Sequence, residues 1–336
     1  RDQPRSRGLG DVYKRQMKNL LIFTVTLLIP LCSCSQTENT DTDEPVIPPP
    51  SNNYVLQGSM QGSAELVEAG YTQIHQYMRK IGWDYSEHPN SSSLDHKDGV
   101  HGEVIYDLFI RQYIFKLSIH ANEKALDGDR GKLIDRQRNE MKTQTTPSWY
   151  KLNGNWDEWQ QLKWKFKIPK DFRPSGSFTH LHQLKAQEGN NGSPVITITA
   201  RSNGNGSNRR IQIIHNGDTE ETTKGTIIDN LPLEDFEDEW IQVETEMHYT
   251  HNGSFSITLS RLSDGKRLVQ RSFDDIDLWR KGAISIRNKF GIYRSFGKTL
   301  TDENDRPTNG IKDEHILLAD FKVYEKNTNP DPQPHD

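Results

Sequence analysis

The sequence predicts an all-β protein, a two-sheet antiparallel β-sandwich with a short N-terminal helix. Ten or more short segments alternate apolar and polar residues, the pattern of strands that bury one face. Turn-forming residues separate these segments, and the chain shows no internal repeat and no strand–helix alternation. Only 32% of the 336 residues are hydrophobic and the mean hydropathy is −0.85, which favours half-polar strands over a large helical core.

The helix is expected at 64–81, where apolar residues recur at helical spacing even though Gly70 interrupts the run. The expected strand segments are 104–120 (two strands), 135–143, 162–169, 178–185, 194–201, 209–216, 239–250, 254–262, 267–273, 281–296 and 315–326. Asp264-Gly265 suits a tight hairpin turn between two of these segments. This many antiparallel strands favours a jelly roll of the concanavalin-like kind.

Composition divides the chain into five parts. Residues 1–16 precede Met17 and are interpreted as a cloning, assembly or start-site artefact. We expect a lipoprotein signal peptide at 17–33, a flexible linker at 34–53, the β-sandwich domain at 54–326 and a disordered tail at 327–336.

The segment "LCSC" predicts a lipid anchor. Leu31, Ser33 and Cys34 resemble a bacterial lipobox with Cys34 as the lipidated residue; the alternative is an ordinary cleaved signal with incidental cysteines. The acidic residues that follow resemble the surface-export signal of Bacteroidetes lipoproteins. We therefore expect a protein anchored at the outer membrane or cell surface, or facing the periplasm, that touches the membrane through this anchor only.

The formal net charge of −5 argues against nucleic-acid binding, and we expect a monomer. Basic residues nevertheless concentrate on predicted strands. In 135–143 the residues expected to share one face are Arg136, Arg138, Glu140 and Lys142. In 287–295 they are Arg287, Lys289, Gly291, Tyr293 and Ser295. Each set is read either as a ligand-binding face or as a solvated strand with cross-strand ion pairs.

The segment 178–185 reads "FTHLHQLK". Strict alternation places His180 and His182 on one face and Gln183 and Lys185 on the other. Two histidines on one face could begin a zinc site, but a third ligand at motif spacing is missing, so we expect no metal ligands here.

Taken in order, these segments resemble signatures of jelly-roll polysaccharide lyases, the group that contains alginate lyases of family 7 and heparin lyase I. The matching stretches are Arg138-Asn139-Glu140-Met141-Lys142, His180-Leu181-His182, and Lys289-Phe290-Gly291-Ile292-Tyr293. The segment 164–169 also resembles the strand that precedes the histidine strand in such proteins. Histidine at position 180 departs from the pattern, because the family has glutamine there.

The resemblance implies a lyase that cleaves a uronic-acid-containing polysaccharide by β-elimination. It implies His182 as the base, Tyr293 as the catalytic tyrosine, Arg138 as the partner of the uronate carboxylate, and His180 as a candidate neutraliser of that carboxylate. The expected substrate-binding residues are Arg136, Glu140, Lys142, Gln183, Lys185, Arg201, Lys289 and Arg294.

Two other functions stay open. A non-catalytic glycan-binding lipoprotein on the same fold would keep the basic face, since a fold does not fix a function. A glycoside hydrolase needs closely spaced carboxylates, and the acidic segment 234–240 lacks that spacing. We expect no required cofactor, although Asp127 and Asp129 flank Gly128 in a loop compatible with calcium.

Overall fold

A computed structural model describes residues 54–89, 100–121, 126–129, 135–300, 307 and 310–326. The expected signal peptide, lipidated Cys34, linker and C-terminal tail lie outside the described residues. The predicted sandwich domain, 54–326, contains all of the described chain.

Fifteen strands and one α-helix are found in the described part of the chain. The strands are β1 (Val55–Met60), β2 (Trp83–Glu87), β3 (Gly102–Asp107), β4 (Gln112–Ile119), β5 (Arg136–Thr143), β6 (Trp159–Lys167), β7 (Thr179–Gln187), β8 (Ile196–Arg201), β9 (Arg210–His215), β10 (Gly225–Pro232), β11 (Ile241–His248), β12 (Gly253–Arg261), β13 (Arg267–Ile276), β14 (Ser285–Ser295) and β15 (Glu314–Glu325). The helix α1 is Tyr71–Lys80, and short 3-10 helices lie at Ala64–Leu66, Pro147–Leu152 and Leu233–Asp235.

The strands form two antiparallel sheets. The seven-stranded sheet has the order β10-β9-β8-β7-β14-β5-β2. The eight-stranded sheet has the order β13-β12-β11-β6-β15-β4-β3, with β1 also paired to β15. The predicted two-sheet antiparallel sandwich is confirmed. Strands β5, β7 and β14 are far apart in sequence but lie side by side in the seven-stranded sheet.

The predicted helix was too long. Gly70 has an extended backbone, with φ −73° and ψ 172°, and directly precedes α1, so the helical spacing that begins at Leu66 belongs to a separate 3-10 turn. The predicted strands are present with shifted ends, while β1, β2 and β10 were not predicted.

The sheets pack through an aromatic cluster. Trp83 and Phe290 of the seven-stranded sheet contact Trp164 and Phe321 of the other sheet. The ring centroids are 4.9–5.2 Å apart for the three pairs between the sheets, which are Trp164–Phe290, Phe290–Phe321 and Trp83–Phe321. Trp83 and Phe290, within one sheet, are 5.7 Å apart. All four side chains are fully buried. This core leaves the other face of the seven-stranded sheet, called the outer face here, to polar and charged side chains. Among the described residues, no helix is long and apolar enough to cross a membrane.

A pair of buried carboxyl groups lies at the end of β15. Glu158 and Glu325 are each about 1% exposed, and burial together with the charge of Glu158 raises the pKa of Glu325 far above its usual range. Lys151 opposes this rise only weakly. The folded protein therefore holds a proton on this pair at a pH where the unfolded chain has released it.

Because the pair holds this proton, we expect Glu325→Gln to increase the free energy of unfolding by an amount that depends on pH. The free energy of unfolding of the wild type falls as the pH rises above the ordinary carboxyl pKa, because the folded state then binds more protons than the unfolded state. The variant should gain about 1–3 kcal/mol over the wild type between about pH 5 and about pH 9, measured by urea unfolding. Glu244→Gln, on the more exposed part of β11, is the control; an equal gain there would contradict the explanation.

Candidate active site

The outer face of β5 and β14 follows the predicted alternation. The two strands pair without irregularity, and Tyr293 lies opposite Arg138 and Lys289 opposite Lys142. Arg136, Arg138, Glu140 and Lys142 share the outer face of β5, as predicted. Regular pairing carries the period of two through both strands, so sequence parity was sufficient here.

Strand β7 breaks the alternation through a β-bulge. His180 pairs with Thr199 of β8, and His182 pairs with the adjacent Ile198, so that β7 has one residue more than β8 at this point. The bulge turns Leu181 and His182 both toward the core, because an extra residue reverses the side-chain parity beyond it. The prediction that His180 and His182 share a face is therefore wrong.

His182 lies in the hydrophobic core. Its ring is 4.7 Å from that of Phe290 and 5.4 Å from that of Trp164, and it is 2% exposed. Burial lowers its pKa to about 3, against which a 3.4 Å hydrogen bond to Asn288 acts weakly. A neutral imidazole enclosed by aromatic rings cannot reach a substrate on the outer face, so this geometry does not support the predicted role of His182 as the base.

The bulge also corrects the placement of Gln183. Its amide Nε2 donates a hydrogen bond to Glu140 Oε1 on the outer face, where His180 also lies. Strict alternation had placed Gln183 and His180 on different faces of the strand. Arg294 is the reverse case: it is fully buried, donates to Gln137 at 2.6 Å and to the carbonyl of Lys312, and burial lowers its pKa to about 10. This burial does not support its predicted substrate-binding role, because β14 parity turns the side chain inward.

Gly291 allows the strands to meet closely beside this bulge. Its φ is +146°, and a Cβ atom there would lie 2.1 Å from the carbonyl oxygen of Asn139 on β5. Any other residue would collide with backbone, so glycine is required for the contact between strands rather than for ligand approach.

The cations nearest Tyr293 are neutralised internally. Glu87 accepts from Arg138 at 2.6 Å, from Lys142 at 2.8 Å and from Lys289 at 2.6 Å. Glu140 lies 2.8 Å from Lys289, and these cations lower the pKa of Glu87 strongly. The basic residues Arg138, Lys142 and Lys289 of β5 and β14, called the basic stripe here, therefore form a paired ion network rather than an uncompensated positive surface.

Two further carboxylates complete this pairing. Asp129 lies 3.0 Å from the Arg138 guanidinium, and Asp135 lies 2.6 Å from that of Arg136. Arg138 remains 12% exposed and stacks 3.8 Å from the centre of the Tyr293 ring. Through this stacking contact Arg138 holds the Tyr293 ring in position.

His180 and Tyr293 face each other across β7 and β14. They are paired in register, and their ring centroids are 6.0 Å apart. Phe178 stacks on His180 at 4.8 Å and lies 5.3 Å from Tyr293. Arg136 Nη1 donates to the Tyr293 hydroxyl at 2.8 Å. One histidine and one tyrosine thus meet on the outer face, with His180 in the place expected for His182.

The hydrogen bonds of His180 define its tautomer. Nδ1 lies 2.8 Å from Thr199 Oγ1, and that hydroxyl donates in turn to Thr197 at 2.8 Å. Nδ1 therefore carries the proton and Nε2 carries the lone pair. Burial, followed by the charges of Arg201, Lys289, Arg138 and Lys185, lowers the pKa of His180 to about 3, so the ring is neutral.

Two cations beside His180 have no carboxylate partner within ion-pair distance among the described residues. Arg201, two residues beyond Thr199 on β8, has no hydrogen-bond partner for its Nε. Lys185 donates only to the backbone carbonyls of Asn191 and Gly192, and burial with neighbouring cations lowers its pKa to about 8. Lys185 also pairs directly with Arg287, a like-charge arrangement that costs stability unless an anion lies nearby.

The two loop carboxylates considered for calcium have separate partners. Asp127 contacts His101 at 2.9 Å, while Asp129 contacts Arg138. Calcium binding between them stays a prediction, one that would require both carboxylates to leave these partners.

Sequence analysis missed Glu87 and Thr199. Both lie on short strands with no recognisable motif around them, and only strand pairing brings them to the site. A local signal did exist for Gln183, since the third polar residue in "HLHQ" fits a strand only if one residue bulges.

The position of His182 predicts an effect of pH on stability. Because its folded pKa is depressed, the unfolded chain binds an additional proton as the pH falls below the ordinary histidine value, and the folded state loses stability. His182→Leu should remove this loss, gaining about 2 kcal/mol relative to wild type on going from about pH 7.5 to about pH 5, measured by urea unfolding. A variant whose difference from wild type is the same at both pH values would contradict a buried neutral imidazole.

Solved structures similar to this chain are polysaccharide lyases. An endo-β-1,4-glucuronan lyase from the fungus Trichoderma reesei is 14% identical, with 75% of this chain and 98% of that chain covered and a TM-score of 0.46. A marine PL-14 alginate lyase from Aplysia kurodai is 10% identical, with 80% and 98% covered and a TM-score of 0.45. An alginate lyase from Pseudomonas aeruginosa is 14% identical, with 67% and 86% covered and a TM-score of 0.40.

No protein-family model matches the sequence, and no curated protein matches it. The identities and TM-scores of the similar structures are too low to assign an activity.

Proposed function

We propose that the protein is a polysaccharide lyase that cleaves an anionic, uronic-acid-containing polysaccharide by β-elimination. One observation carries the proposal: His180 and Tyr293 face each other on the outer face of the sheet, beside Arg201 and Lys185, which have no carboxylate within ion-pair distance among the described residues. A neutral imidazole, a phenol and an anion-binding surface are the groups that this reaction requires.

β-Elimination removes the C5 proton of a uronic acid and breaks the bond between C4 and the glycosidic oxygen. The electron pair left at C5 forms the C4–C5 double bond, and the departing oxygen takes up a proton. The C5 proton is weakly acidic while the adjacent carboxylate is ionised, so a nearby cation or hydrogen-bond donor must stabilise the charge that develops there. A base and an acid complete the reaction.

His180 is suited to take the C5 proton. Its Nδ1–H is fixed on Thr199, which leaves the Nε2 lone pair available. Burial and, after it, four neighbouring cations hold its pKa low in the free protein. A bound uronate would compensate those cations and raise the pKa of His180, so that the imidazole becomes a stronger base when substrate is present.

Tyr293 is suited to protonate the departing oxygen. Its hydroxyl oxygen accepts a hydrogen bond from Arg136, so its own proton remains free for donation. Arg138 stacks on the ring and Glu87 holds Arg138, which limits rotation of the phenol. The ion network thus acts through Tyr293 rather than on the substrate.

Arg201 and Lys185 are suited to hold the uronate carboxylates. They flank His180 on β8 and β7, and a guanidinium can bind a carboxylate through two parallel hydrogen bonds. The carboxylate at the reacting sugar would then lie beside the base. This assignment replaces Arg138, whose guanidinium already contacts Glu87 and Asp129.

A non-catalytic glycan-binding protein is the second candidate. The observation that favours it is the internal pairing of Arg138, Lys142 and Lys289, since a strongly paired network resembles a structural element more than a reactive one. Such a protein would bind the same anionic chain through Arg201 and Lys185 and leave it intact.

We also propose that lipidated Cys34 holds the domain at the outer membrane or cell surface. The support is the lipobox-like "LCSC" followed by an acidic, proline-rich linker. A tethered lyase of this kind would meet its polymer outside the cell.

Two substitutions test the reaction. With a panel of uronate polymers, the ultraviolet absorbance of the unsaturated product should fall by about 10²–10⁴-fold in His180→Ala and in Tyr293→Phe, the range that one acid–base group supplies. His182→Leu is the matched control from the same strand and should keep its activity, because its side chain faces the core.

The outcomes separate the candidates. Binding of a uronate polymer with no product from the wild-type chain would support the glycan-binding function and reject the lyase. Loss of activity in His182→Leu together with full activity in His180→Ala, both correctly folded, would reject the assignment of His180 as base.

Cys34→Ala tests the anchor. The variant should appear in the soluble fraction of an expressing bacterium, while the wild type sediments with membranes and incorporates labelled fatty acid. Fatty-acid labelling that persists in Cys34→Ala would contradict the assignment of this cysteine.

A further inference from the structure

We propose that His101, His120 and Asp127 form a binding site for a divalent transition-metal ion of the zinc class. The three residues converge at the start of β3, the end of β4 and the loop before β5. The site lies outside the His180–Tyr293 pair and does not depend on the proposed lyase activity.

The three candidate ligand atoms already have nearly the spacing of a metal's coordination face. His101 Nε2 lies 2.9 Å from Asp127 Oδ1, His120 Nδ1 lies 3.2 Å from Asp127 Oδ2, and the two ring nitrogens are 3.2 Å apart. Zinc bonds of about 2.0–2.1 Å at tetrahedral angles place neighbouring ligands roughly 3.3 Å apart. The two ring nitrogens contact different oxygens of Asp127, and one ligand atom from each residue can be chosen so that all three lie within 4.8 Å of one another. An ion therefore fits between them after small side-chain movements.

The ligand types select the class of ion. Two imidazoles and one carboxylate suit zinc and similar first-row metals, whereas calcium and magnesium take oxygen ligands. The His120 side chain is 21% exposed while those of His101 and Asp127 are fully buried, so the fourth position faces toward solvent. A water molecule can complete a tetrahedral site from that side.

Backbone contacts hold the ligands in place. The Asp127 amide donates to the His120 carbonyl at 3.1 Å, and the His120 amide donates to Asp127 Oδ2 at 2.6 Å. Gln137 Nε2 donates to the backbone carbonyls of His120 and Asp127, at 2.9 and 3.0 Å. The His101 carbonyl accepts from Asn139 at 2.7 Å. Such supporting contacts fix the orientation of metal ligands.

The cluster adjoins the ion network of the active site. The Gly128 carbonyl accepts from the Arg138 amide at 3.3 Å, and the Asp129 carboxylate binds the Arg138 side chain. An ion at Asp127 would thus brace the loop that positions Arg138 over Tyr293. Metal binding should stabilise the fold by mass action, since the unfolded chain has no preformed site.

The experiment uses the full chain without a polyhistidine tag, stripped with a chelator and titrated separately with Zn²⁺ and Co²⁺. We expect one ion per chain by calorimetry, a higher Tm with Zn²⁺, and visible bands of tetrahedral intensity with Co²⁺. His120→Ala should weaken binding by about 100-fold or more and abolish the Co²⁺ bands, exceeding the effect of losing a supporting contact.

His248→Ala is the matched control. His248 lies 2.8 Å from Asp157, and its side chain is 22% exposed, nearly the same as that of His120. It is a histidine–aspartate pair that lies outside the proposed cluster. Its metal affinity and Co²⁺ spectrum should equal those of the wild type. Asp127→Asn, which can still accept the backbone hydrogen bond, replaces His120→Ala if the latter does not fold.

Absence of Zn²⁺ and Co²⁺ binding in the wild type would overturn the proposal and leave a hydrogen-bonded histidine–aspartate cluster. Equal binding in wild type, His120→Ala and Asp127→Asn would also overturn it, since the ion would then lie elsewhere. Because calorimetry and spectra are read without substrate, failure here is distinguishable from failure of the lyase proposal.

Discussion

The candidate site depends on two buried carboxylates, Glu87 and Glu140. They are 2% and 0% exposed, and each must be paired because an isolated ion in the interior costs several kcal/mol. Their partners come from β5 and β14, and Gln183 of β7 donates to Glu140. The network therefore fixes the four strands β2, β5, β7 and β14 relative to one another and sets where Arg138 and Tyr293 point.

Pairing of this kind also limits what the cations can do. Cations held by buried carboxylates position neighbouring groups and do not offer a free charge to a polymer. The cations with no carboxylate within ion-pair distance, among the described residues, are instead Arg201 on β8 and Lys185 on the same strand as His180. The division between positioning cations and binding cations is the main refinement that the structure brings to the proposed lyase mechanism.

The bulge in β7 is the second constraint. It coincides with Gly291 on the neighbouring strand, where the approach to β5 admits no side chain. Together they place His180 and Tyr293 opposite each other and turn His182 into the aromatic core. The His101–His120–Asp127 cluster is linked to the same Arg138 through its loop, since the Gly128 carbonyl accepts from the Arg138 amide and Asp129 pairs with the Arg138 guanidinium.

The sequence by itself determined the two-sheet sandwich, the strand segments other than β1, β2 and β10, and the parity of β5 and β14, because hydrophobic alternation is a local property that regular pairing preserves. Its resemblance to jelly-roll lyases also predicted a catalytic tyrosine at position 293 and a catalytic histidine on the strand at 178–185, and both stay predictions. Only the tertiary structure decided which histidine faces outward, since one extra residue in β7 reverses the alternation and local patterns do not reveal register. Only the structure, likewise, brought Glu87 to the basic stripe and assembled His101, His120 and Asp127, because contacts between distant segments have no signature within any one of them.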